Sequence, residues 1–171
     1  GEDGIQAETT LNIESGNYSV TSGGGSENEL TAEVSSKALK GGNAVYINGG
    51  VVVADSSDDA LHSNGYVNIS GGNITVKSGD DAIHADDDIE ISGGIVIAEK
   101  CYEGLEANDV NVSGGEIKLI ASDDGVNISG GDGSGEMARP GMDFFGSSGG
   151  KLLVSGGRLV VNAEGDGFDA N

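Results

Sequence analysis

Tryptophan is absent from this sequence, proline occurs once, and the aromatic side chains are four tyrosines and three phenylalanines. A globular interior usually takes its bulk from aromatics, so small aliphatic residues must fill this one. Valine, isoleucine and alanine are abundant, which suits an elongated solenoid whose thin layers touch only their neighbours. The single cysteine, Cys101, rules out an intramolecular disulfide and leaves the redox compartment open. No apolar run approaches the ~20 residues of a membrane-spanning helix. Basic residues are also scarce: 8 Lys and Arg stand against 29 Asp and Glu, a net charge of −21. Nucleic acid is excluded as a partner, because every phosphate would be repelled. An acidic disordered chain would lack β-branched periodicity, and this sequence is full of it. The acids are therefore expected to be neutralised by bound cations.

What is present is a repeat. Gly-Gly follows a short apolar strand at Gly49-Gly50, Gly71-Gly72, Gly93-Gly94, Gly114-Gly115 and Gly156-Gly157, at intervals of 22, 22, 21 and 42 residues. In phase with it run Asp3-Gly4-Ile5, Lys37-Ala38-Leu39, Asp59-Ala60-Leu61, Asp81-Ala82-Ile83, Glu103-Gly104-Leu105, Asp124-Gly125-Val126 and Asp166-Gly167-Phe168. A period of about 22 residues is one turn of a β-helix with three short strands. The fold class predicted is all-β: a right-handed parallel β-helix of about seven coils, its hand set by the crossover rule for parallel strands. Alternation points Val52/Ala54, Ile74/Val76, Val96/Ala98, Ile117/Leu119 and Leu159/Val161 inward. It leaves Val51, Val53, Ile95, Ile97 and Val160 outward as an apolar row, which the Phe144–Phe145 segment is expected to cover. The chain reads as one domain over 1–171, with insertions near 22–35 and 130–150 and both ends inside repeats. The natural protein is expected to continue beyond them.

Stacking turns the acidic motif into columns. Asp59, Asp81, Glu103, Asp124 and Asp166 form one, with Asp58, Asp80 and Asp123 beside it. His62, His84, Glu106, Asn127 and Asp169 form another, followed by Asn64, Asp86, Asn108 and Asn171. Carboxylates about 4.8 Å apart repel by roughly 1 kcal/mol in water and by several times more when partly buried. The nearby lysines are too few to balance them. Calcium takes six to eight oxygen ligands in irregular geometry, so several calcium ions built across coils are the expected partners. The candidate ligands are Asp58, Asp59, Asp80, Asp81, Glu103, Asp123, Asp124, Asp166, His84, Asp86 and Asn108. His62 and His84 raise zinc as a rival, and simple solvated turns are the bland alternative. No EF-hand loop is present, and a nonapeptide calcium roll does not fit the period.

Asp-Asp-Ala-(Leu/Ile)-His, an alternating strand, Ser-Gly-Gly and a second strand recur in Ser57–Gly72 and Gly79–Gly94. This combination resembles a bacterial family of carbohydrate-binding β-helix domains that are similar in fold to pectate lyases. The resemblance implies association with calcium, binding of cellulose and acidic sugars such as polygalacturonate, and secretion to the cell surface. The copies at Asp3, Lys37 and Cys101-Tyr102-Glu103 depart from the Asp-Asp pattern.

A lyase would need a basic residue beside calcium to take the proton α to a uronate carboxylate. Lys77 and Lys100 are the candidates, and they count also as sugar contacts with Tyr46, Tyr66 and Tyr102. The tyrosines occupy different repeat positions, so no single aromatic strip is expected. A non-catalytic polysaccharide binder is the reading taken. The alternatives are a pectate-lyase-like enzyme and a calcium-stabilised adhesin or spacer.

Overall fold

The computed structural model of the chain describes residues 3–28, 34–129 and 150–170. Among them every regular element is a strand. In chain order these are β1 (Ile5–Ala7), β2 (Thr10–Ile13), β3 (Asn17–Ser22), β4 (Leu39–Gly41), β5 (Ala44–Ile47), β6 (Val51–Ser56), β7 (Leu61–Ser63), β8 (Tyr66–Ile69) and β9 (Asn73–Ser78). Then follow β10 (Ile83–Ile91), β11 (Ile95–Cys101), β12 (Leu105–Val112), β13 (Glu116–Ala121), β14 (Val126–Ile128), β15 (Lys151–Val154), β16 (Arg158–Ala163) and β17 (Asp169–Ala170).

The pairings are parallel and build two sheets. The smaller runs β16-β13-β11-β9-β6-β3. The larger has one limb, β1-β4-β7-β10-β12-β14-β17, and a second, β2-β5-β8, that merges with it at β10. Register partners repeat the sequence motif: Leu39 pairs with Leu61, Leu61 with Ile83, Ile83 with Leu105, and Leu105 with Val126. The arrangement is a parallel β-helix-like fold.

Its cause is legible residue by residue. Val52, Ala54, Ile74, Val76, Val96, Ala98, Ile117 and Leu119 are each at most 2% exposed, and like side chains stack on like between paired strands. Leu159 and Val161, on β16 at one edge of the smaller sheet, are half-buried. Every second glycine of the Gly-Gly pairs turns the corner at positive φ, from 78° at Gly157 to 90° at Gly72, a region that a Cβ disfavours. At Gly94 a Cβ would also lie 2.8 Å from the carbonyl carbon and oxygen of Gly71, so the corner is closed to side chains twice over.

The start of the insertion near 22–35 is tied down where it is described. Gly25 and Ser26 are buried, Ser26 N donates to Asp55 Oδ1 at 2.7 Å, and Lys100 Nζ donates to the Ser26 carbonyl at 2.7 Å. A short polar stretch can be held this way because its backbone groups find fixed side-chain partners. Of the outward apolar row, Val51, Val53 and Ile95 are exposed, whereas Ile97 and Val160 are half-buried. The proposed cover, Phe144 and Phe145, lies outside the described residues, as does Asn171.

Candidate functional site

The acidic turns sit between the smaller sheet and the starts of strands β4, β7, β10 and β12. Serine shapes them. Ser56 Oγ donates to the Asp58 carbonyl at 2.8 Å, and Ser78 Oγ to the Asp80 carbonyl at 3.0 Å. Each Asp-Asp pair is thereby bent out of the sheet in the same way. Amides of neighbouring residues then cap the carboxylates: Ser36 N on Asp58 Oδ2 at 3.1 Å, Asp81 N on Asp59 Oδ1 at 3.1 Å, and Asp166 N on Asp124 Oδ1 at 2.7 Å. These bonds let the columns stand close together at reduced cost.

The result is an open pocket of about 370 Å³ lined by Lys37, Asp58, Asp59, His62, Asp80, Asp81, His84, Tyr102, Glu103 and Glu106. Three groups of side chains in it bring ligand atoms within 4.8 Å of one another: Asp58, Asp59 and Asp80; Asp59, His62 and His84; Asp81, His84 and Glu106. The first is all oxygen, which suits a hard cation such as calcium. The other two mix imidazole with carboxylate, a set better suited to zinc. Lys37 already places a cation at the first group, its Nζ 2.7 Å from Asp58 Oδ1 and 3.2 Å from Asp59 Oδ2.

The histidines are held by one repeated motif. His62 Nδ1 meets Asp59 Oδ2 at 2.8 Å and its Nε2 meets Asn64 Oδ1 at 2.9 Å. His84 Nδ1 meets Asp81 Oδ2 at 3.1 Å and Glu106 Oε2 at 2.8 Å, and its Nε2 meets Asp86 Oδ1 at 3.2 Å. The two rings stack with centroids 4.9 Å apart. Burial alone would lower the His84 imidazole, but its hydrogen bonds to Asp81 and Glu106 outweigh that and push it up to about 11. Burial raises the Asp81 carboxyl, against the pull of His84 and with the charges of Asp59 and Glu106 adding to it. Burial likewise pushes Glu103 up to about 7, although Asn127 Nδ2 donates to both its oxygens at 3.0 Å.

These directions fix a pH dependence. Asp81 holds its proton more tightly folded than unfolded across pH 5 to 8, Glu103 does so up to about pH 7 and His84 above its ordinary value of 6.5, so stability falls as pH rises through that window. Asp59 and Glu106 are lowered and act only below it. In chelator the melting temperature is expected to drop by several degrees from pH 5 to pH 8, read by circular dichroism. A constant or rising melting temperature would contradict it.

Of the residues singled out from sequence, Asp58, Asp59, Asp80, Asp81, Glu103, His84 and Tyr102 share this pocket. Asp86 touches it through His84, and Asn108 Nδ2 donates to the Asp86 carbonyl at 2.7 Å. Asp123, Asp124 and Asp166 lie further along the column, outside the pocket lining, with Asp123 hydrogen-bonded to the Tyr102 phenol, which it pushes up to about 12. Lys77 and Lys100 are not in the lining. Lys77 pairs with Glu99 at 3.5 Å, and Lys100 with Glu27 at 3.0 Å. The ligand set taken from sequence lacked His62, Glu106 and Lys37. The first two share the row of His84, and that periodicity was the signal available. Lys37 takes the register position of an acid, which marks it as a built-in counter-ion. Tyr46 and Tyr66 belong to a different depression, on the outer face of the larger sheet. Cys101 is buried, its thiol pushed up to about 12 by burial, and offers no nucleophile.

Among the described residues no helix is long and apolar enough to cross a membrane. No curated protein and no solved structure matches the chain. Residues 1–82 do match the model of a family described as carbohydrate-binding domain-containing protein.

Proposed function

We propose that this chain is a calcium-associated carbohydrate-binding solenoid of the bacterial cell surface, right-handed and of about seven coils. Its ligands are acidic plant polysaccharides such as polygalacturonate, together with cellulose. The match of residues 1–82 to a carbohydrate-binding family carries the reading, and the acidic pocket supports its ionic part. A chain of net charge −21 repels a polyuronate unless a divalent cation stands between them. Asp58, Asp59 and Asp80 are the residues to hold calcium, with Asp81 and Glu103 adjoining. Calcium would there neutralise protein carboxylates and attract those of the sugar.

A binder is favoured over a lyase by the state of the lysines. Lys37 is the one lysine in the pocket; burial would lower it, but Asp59 and Asp58 hold its ammonium above the ordinary value, which suits a counter-ion and not a base. Affinity electrophoresis in polygalacturonate tests the proposal. Calcium is expected to retard the protein, chelator to abolish the retardation, and Asp59→Asn with Asp80→Asn to weaken it at least tenfold. Undiminished retardation in chelator would overturn the ionic reading. Absence of retardation in either buffer would favour the structural spacer.

A further inference from the structure

The outer face of the larger sheet carries a second depression, of about 360 Å³, that shares no lining residue with the acidic pocket. Its floor is made of two adjacent rows of side chains. One row follows the register Tyr46, Asn68, Glu90, Asn111 and Leu153 across β5, β8, β10, β12 and β15. The other, two residues earlier on each strand and therefore on the same face, holds Tyr66, Asp88, Asp109 and Lys151. Tyr46, Tyr66 and Leu153 are among the exposed large hydrophobic residues of the chain.

We infer that this groove binds a neutral, hydroxyl-rich glycan without metal, a site separate from the acidic pocket; the inference rests on the carbohydrate-binding reading above. Three features carry it. The two tyrosines, 38% and 49% exposed, line one end of the groove, and a sugar ring has a face of C–H groups that an aromatic ring can meet. Between Tyr46 and Leu153 the row is polar: Glu90 takes one hydrogen bond from Asn68 Nδ2 at 2.9 Å and keeps further acceptor capacity, while Asn111 Oδ1 is buried without a protein donor. Hydroxyl donors are what such a row lacks. Finally, Asp88, Glu90 and Asp109 face a single ammonium, that of Lys151, so the groove repels uronates while accepting neutral sugars. Burial, then the charges of Asp109 and Asp87, raises the Asp88 carboxyl, and a hydroxyl donor would relieve that crowding. The strands advance by about 4.8 Å per step, close to the length of one ring in an extended glycan. A chain lying across the strands therefore meets an equivalent side-chain position at each sugar. The volume falls within the usual range for small-ligand sites, about 300–1,000 Å³.

The test is isothermal titration of the whole chain, in chelator, with cellohexaose, xylohexaose and mannohexaose. At least one of the three is expected to bind, with affinity reduced at least tenfold by Tyr66→Ala and by Tyr46→Ala. Glu90→Gln should weaken binding less, and Lys118→Ala, on the other sheet, should not change it. Both tyrosines are exposed, so melting curves of the variants should match the parent and exclude misfolding as the cause. Binding of a neutral glycan that survives both tyrosine changes overturns the groove and leaves the carbohydrate reading standing. Polygalacturonate binding in calcium without any neutral binding overturns the groove and the cellulose part of the reading above, and leaves its acidic-sugar part standing. If no glycan binds under either condition, both fall together.

Discussion

Replacing Ile83 with alanine is expected to lower the unfolding free energy by about 2–5 kcal/mol, the usual range for emptying a fully buried aliphatic site. Ile83 has no solvent exposure and is stacked between Leu61 and Leu105 on the neighbouring strands. In a globular core the neighbours of a cavity relax from several directions. Here each layer is fixed by backbone ladders above and below, so Leu61 and Leu105 cannot slide inward without breaking register. The cavity should stay open and the loss should fall towards the upper part of the range. Val53→Ala is the matched control. Val53 is 47% exposed on the outer face, and its truncation should cost well under about 1 kcal/mol. Urea denaturation of the two variants, followed by circular dichroism, gives the comparison. Similar losses at the two sites would mean that the interior is not packed as described.

His84→Ala is expected to destabilise the chain by about 2–3 kcal/mol in chelator, below the full range for breaking a buried ion pair because the ring is partly open to water. Its imidazolium meets Asp81 at 3.1 Å and Glu106 at 2.8 Å, two side chains that also hydrogen-bond each other. Removing it leaves the half-buried Glu106 carboxylate without the cation that balances it. His62→Ala is the informative contrast. Its partner Asp59 keeps Lys37 at 3.2 Å, so that change should cost no more than about 1 kcal/mol. Denaturant midpoints of the two variants decide the point. Equal losses would show that His84 has no special part in the charge balance. If calcium enters the pocket as proposed, its addition should return part of the stability lost in His84→Ala.

The repeat made the parallel-strand fold readable, because Gly-Gly corners at intervals of 22, 22, 21 and 42 residues bring like strands side by side. The inward pairs followed from alternation, and their burial followed from stacking. The acidic columns were equally plain: once Leu61 pairs with Ile83, Asp59 must lie beside Asp81 and His62 beside His84. Periodicity also held the information needed for Glu106, since it occupies the row of His84.

The sequence by itself therefore determined the β-helix-like stacking of parallel strands, its glycine corners and which residues share a column, since all three depend only on spacing. Tertiary structure decided which members of those columns meet. Asp58, Asp59, Asp80, Asp81 and Glu103 converge with both histidines in one pocket, whereas Asp123, Asp124 and Asp166, of the same motif, do not line it. The lysines were also settled there: Lys37 reaches into the acids while Lys77 and Lys100 turn to Glu99 and Glu27. The groove with Tyr46 and Tyr66 depends on the outer face of five strands, and no single period contains it. Repetition fixes the address of a side chain along the solenoid. Which neighbours its charged end reaches depends on rotamers, burial and competing partners, and those exist only in the folded chain.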